Sequence, residues 1–73
     1  MPSWREIERF CRRDGWQEYK TKTHHYYFRK QLENGNFKRV KVSRGTGEVR
    51  GHLWKEILKK PLQVTEEEFN RIK

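Results

Sequence analysis

The chain has 73 residues, with 18 lysines and arginines against 10 aspartates and glutamates, a net charge of +8 and one cysteine. That length admits one domain with a thin core, and a lone cysteine excludes an internal disulfide. The basic excess points to a polyanionic partner, nucleic acid before membrane, because neither a run of about 20 apolar residues nor a long helix with a bilayer-facing apolar side is present. Four phenylalanines, three tyrosines and three tryptophans each bury a large area, so a folded domain is expected despite 38% charged residues.

Ser3-Trp4-Arg5-Glu6 is a capping box: the Ser3 hydroxyl accepts from the Glu6 N–H, and the Glu6 carboxylate from the Ser3 N–H. Trp4, Ile7, Phe10 and Cys11 then recur at helical spacing, and Asp14-Gly15 supplies a stop with glycine in the left-handed position. A helix over residues 3–14 follows. An onset this abrupt lacks the apolar core of a secretory signal. With nothing pointing to an oxidising compartment, a cytoplasmic location is expected. Cys11 reads as a small buried helix residue.

Residues 16–22 predict a first strand. Its aromatics, Trp16 and Tyr19, differ in parity, so either a bulge intervenes or one ring lies outside the core. Residues 24–31 predict a second strand opening on two histidines, Asn34-Gly35 a tight hairpin in which both residues tolerate positive φ, and residues 37–43 a third strand. Side chains alternate across a strand. His24, Tyr26 and Phe28 therefore share a core face with Val40 and Val42, while His25, Tyr27 and Arg29 share the other with Arg39 and Lys41. Residues 44–51, with three glycines and Arg44 and Arg50, read as a mobile loop whose arginines attract phosphate; no Gly-Lys-Ser/Thr marks a phosphate-cradling loop.

Leu53, Trp54, Ile57 and Leu58 give one apolar face of a second helix, which Lys59-Lys60 suit at its C-terminus and Pro61 stops. Thr65-Glu66-Glu67-Glu68 is a second capping box, opening a short last helix with Phe69 and Ile72 inward. The expected fold is α+β: a helix, a three-stranded antiparallel sheet, a helix and a short C-terminal helix, in a single domain over residues 1–73. Two helices cover only one face of such a sheet and leave the other to water.

The chemistry gathers on that open face. Adjacent histidines on a strand project to opposite sides, so they cannot serve one substrate unless the strand is bulged between them; His24 is expected to pack with a satisfied ring nitrogen, and His52 carries no chemistry. His25 is the candidate acid or base, since a free imidazole titrates near about 6.5. RNA brings its own nucleophile: a base that takes the 2′-hydroxyl proton lets O2′ attack the adjacent phosphate without a metal. Arg29, Arg39 and Lys41 would offset the charge on the phosphorane, and Tyr27 would stack on an unpaired base. The bland alternative is an exposed strand histidine amid solvated charge. The three histidines and one cysteine lack zinc-ligand spacing, so neither metal nor other cofactor is expected.

Asp14-Gly15-Trp16, Thr23-His24-His25 with Phe28 beyond, and residues 53–59 occur in an order that resembles the HicA family, the toxin half of a bacterial toxin–antitoxin pair. The resemblance covers most of residues 3–60 and implies a topology similar to double-stranded-RNA-binding domains. It implies metal-independent endonucleolytic cleavage of mRNA by the second histidine of the motif, which falls on His25, and a HicB-type antitoxin that covers the site. Lys22 stands where the family motif has glycine and Thr23 where it has serine. Lys22 adds a cation beside the site and forgoes glycine's conformational freedom at that turn. The expected RNA-binding residues are thus Lys22, Thr23, Tyr27, Arg29, Arg39, Lys41 and Arg44, with Tyr27, Lys22, Lys41 and water all open as the general acid. Two other functions fit the same basic face: a non-catalytic RNA-binding module, or a subunit that docks an acidic protein.

Overall fold

A computed structural model describes residues 2–45 and 47–73; Met1 and Thr46 lie outside the described residues. The order is α1 (Trp4–Arg13), β1 (Gln17–Thr21), β2 (His25–Gln31), β3 (Phe37–Ser43), α2 (Gly51–Ile57) and α3 (Glu66–Ile72), with a π-helical turn, Leu58–Leu62, prolonging α2. The strands form one antiparallel sheet in the order β1-β2-β3. This is the expected α+β layout. Among the described residues no helix is long and apolar enough to cross a membrane.

The capping box at Ser3 forms in both directions. At the other end of α1, Gly15 takes φ +82° and the Trp16 N–H reaches the Cys11 carbonyl at 2.9 Å. This closes the last turn in the six-to-one bond that a left-handed glycine permits. Asp14 then holds the exit. Its carboxylate accepts from the Trp16 indole N–H and from Lys30 Nζ, both at 3.0 Å. One face of the sheet packs under the helices: Phe28, Val40 and Val42 meet Ile7, Phe10 and Cys11. Phe69 of α3 stacks on Phe10 with centroids 4.9 Å apart and meets Trp54 of α2 at 4.6 Å. Burial pushes the Cys11 thiol up to about 12, as suits an inert core residue.

Several expectations need correction. β2 starts at His25, not at residue 24, and His24 is exposed in the preceding bend rather than packed. Leu53 is 48% exposed; only Trp54 and Ile57 of that helix are buried. Pro61 does not stop the helix. It lacks the N–H that would bond four residues back, and the chain answers with a wider π turn that buries Leu62 and ends at Gln63 in the left-handed region. The expected tight hairpin does form at Asn34-Gly35, as a three-residue loop closed between Leu32 and Asn36 with positive φ at Gly35. At Thr65 only half of the second capping box forms, the Thr65 hydroxyl accepting from Glu68.

The stretch read as a mobile loop is tied down over its described second half. Trp4 donates to Gly47, Val49 donates to Pro2, and Ser3 bridges Glu48. Val49 is thereby carried into the core.

Candidate nucleic-acid interface

The cross-strand register sets the site. His25 pairs with Ser43, Tyr27 with Lys41 and Arg29 with Arg39, so all six side chains stand on the face opposite Phe28, Val40 and Val42. In β1 the register slips between Glu18 and Lys20. This bulge resolves the parity mismatch of Trp16 and Tyr19: Trp16 enters the core, and Tyr19 turns to the open face, 40% exposed, edge-on to Tyr27.

Cations and rings alternate across the face. Lys20 Nζ lies 5.5 Å and Lys22 Nζ 5.9 Å from the Tyr27 ring centre. The Arg29 guanidinium sits 5.4 Å from Tyr19 and 4.9 Å from Phe37, and Gln17 Oε1 fixes it by accepting from its Nε at 3.0 Å. The Arg39 guanidinium also lies 5.9 Å from the Phe37 ring centre. The three strands contain one acid, Glu18, and it turns toward the helices, where Arg12 pairs with it at 3.0 Å. The open face is therefore cationic without local compensation, the arrangement that attracts phosphate.

His25 sits half-buried at one end of this face, its ring 6.4 Å from that of Tyr27. Partial desolvation holds its imidazole below the ordinary histidine range, and the charges of Lys41, His24 and Lys22 push the same way. Its backbone carbonyl accepts from the Lys22 N–H at 2.9 Å, closing the turn that carries Lys22, Thr23 and His24. Gln63 is the only non-glycine residue with positive φ among those described. Lys22 therefore occupies ordinary backbone space, and this turn does not require glycine there.

Of the expected residues, the face brings together His25, Lys22, Tyr27, Arg29, Arg39 and Lys41. Thr23 is exposed at the tip of the turn. Arg44 goes elsewhere. It shares the parity of Val40 and Val42, lies 5.1 Å from the Tyr26 ring on the helix side, and donates to the Lys22 carbonyl at 3.2 Å. Sequence reasoning missed Tyr19, Lys20 and Phe37. Phe37 was legible, since it shares parity with Arg39 and Lys41. Tyr19 and Lys20 depend on where the bulge falls.

Compared with known proteins, the chain matches no family model, no curated protein and no solved structure.

Proposed function

We propose that this protein is a metal-independent endoribonuclease of the HicA type, a toxin that cuts mRNA in the cytoplasm and is held in check by a HicB-like antitoxin seated on its basic face. The observation that carries the reading is the placement of His25: an imidazole on the sheet face opposite the core, beside a tyrosine and among lysines and arginines.

In this mechanism His25 takes the proton of a ribose 2′-hydroxyl. O2′ then bonds to the adjacent phosphorus and the bond to the 5′-oxygen breaks, leaving a 2′,3′-cyclic phosphate and a 5′-hydroxyl. Lys22 and Lys41, whose charges already act on His25, offset the negative charge that builds on the phosphorane. The leaving 5′-oxygen takes its proton from one of Tyr27, Lys22, Lys41 or water. Positioned acid–base catalysis of this kind is worth about 10²–10⁴ in rate, or roughly 3–5 kcal/mol of barrier.

One observation favours a second reading, an RNA-binding module without catalysis. His24, which would be the nearest second imidazole, stands in the bend outside the strand, and the charges acting on His25 come from lysines and that histidine rather than from an orienting carboxylate.

Induced expression separates the two. The ribonuclease reading predicts growth arrest and mRNA loss with the wild-type chain, none with His25→Ala at equal protein level, and rescue by a co-expressed acidic partner. Equal growth of both strains contradicts it.

A further inference from the structure

We infer that the open sheet face is a track for unpaired RNA, in which successive splayed bases stack on Tyr27, Tyr19 and Phe37 and the scissile ribose lies at the His25 end. This rests on reading the face as the RNA site and adds to it the form of the substrate and the direction in which it lies.

His25, Tyr27 and Tyr19 are neighbouring rings, and Arg29 extends the row to Phe37. His25 and Tyr27 are 6.4 Å apart, Tyr27 and Tyr19 are 6.3 Å apart, and Arg29 bridges Tyr19 to Phe37 at 5.4 and 4.9 Å. The row runs the length of the sheet, because His25 opens β2 while Phe37 pairs with Gln31 at its end. Bases stacked in a helical strand repeat every 3.4 Å or so. The His25–Tyr27 and Tyr27–Tyr19 spacings are nearly twice that distance, so these rings accept bases one at a time, pulled out of mutual stacking, which a duplex does not offer.

Tyr19 and Phe37 are 40% and 37% exposed and take no part in the core cluster, so packing does not account for them. Each aromatic has a cation against it: Lys20 and Lys22 at Tyr27, Arg29 at Tyr19, Arg29 and Arg39 at Phe37. Alternating π-faces and positive charges are what a single strand needs, one for its bases and the other for its phosphates. With His25 at one end of the row, cleavage falls at the edge of the bound footprint rather than in its middle.

The test uses a fluorescein-labelled 2′-O-methyl oligouridine. It lacks the attacking hydroxyl, so binding is read apart from cleavage. By anisotropy, Tyr19→Ala and Phe37→Ala are each expected to weaken binding about tenfold, with Tyr19→Phe and Phe37→Trp restoring it and circular dichroism unchanged. Lys60→Gln, in the π turn away from the face and paired with Glu56, should bind as the wild type does, and the annealed duplex of the same strand should bind more weakly than the single strand. Wild-type affinity in both alanine variants overturns the track, as does equal affinity for duplex and single strand, or failure of the oligonucleotide to bind a chain that still takes up an acidic protein partner. Lost binding in the alanine variants, together with no RNA cleavage by the wild type, would sink the ribonuclease reading and leave the track standing.

Discussion

Lys41→Gln removes one charge from the open face at an exposed position, so it probes the electrostatics of the site without touching the core. Five cations stand on this face among the described residues: Lys20, Lys22, Arg29, Arg39 and Lys41. Each phosphate neutralised on a single strand contributes about −0.7 to the slope of log affinity against log salt. Five contacts give a slope of about −3.5, which is roughly a hundredfold loss between about 50 and 200 mM salt. Lys41→Gln should flatten the slope by about 0.7. Lys60→Gln should leave it unchanged, because Lys60 lies in the π turn beyond α2 and is paired with Glu56 at 3.0 Å. The assay is anisotropy of an uncleavable single strand titrated at several salt concentrations. A wild-type slope near zero, or an equal change from Lys60→Gln, would refute the assignment of these charges to phosphate contacts.

The imidazole of His25 is held below the ordinary histidine range by desolvation, then by Lys41, His24 and Lys22. The base form is needed for the reaction, so the cleavage rate should rise with pH through that group and level off, with its midpoint below about 6.5. Lys41→Gln removes one of the charges and should move the midpoint upward; a rate–pH profile with its midpoint above the free-imidazole value contradicts the assignment. Asp14→Ala strips the partner of both the Trp16 indole and Lys30 from a carboxylate only 15% exposed. Leaving those donors unmet should cost about 2–3 kcal/mol, or roughly 10–20 °C in Tm for a domain of this size. Thermal unfolding checks it, and a change of only a degree or two would show that the Asp14 junction does not hold α1 to the sheet.

Parity carried most of what could be read in advance. Once the second and third strands are placed, alternation alone puts Phe28, Val40 and Val42 inside and His25, Tyr27, Arg29, Arg39 and Lys41 outside, and the register agrees. Caps were equally legible, because Ser3, Glu6, Asp14 and Gly15 act within a few residues of one another. What failed depends on pairing over distance or on a phase one residue wide. Nothing local marks residues 22–24 as the turn between β1 and β2, and alternation alone extends the strand to His24. Leu53 lies in the first turn of α2, where moving the helix start by one residue swings a side chain about 100° and takes it off the core. Val49 is buried because the chain beside it pairs with residues 2–4, a contact between distant segments that no periodicity reveals. Tyr19 reaches the site only through the bulge, whose presence the Trp16–Tyr19 mismatch signalled but whose consequence it left open.

The account stands most directly on one measurement: cleavage of an end-labelled, unstructured RNA by purified protein in the presence of a metal chelator, for wild type and His25→Ala, with the product ends identified by mass. The wild type should yield 2′,3′-cyclic phosphate and 5′-hydroxyl ends, and His25→Ala should be slower by about 10²–10⁴ while still binding the strand. Equal rates in the two proteins, or intact RNA with a wild type that binds it, would contradict the claim that His25 is the base of a ribonuclease.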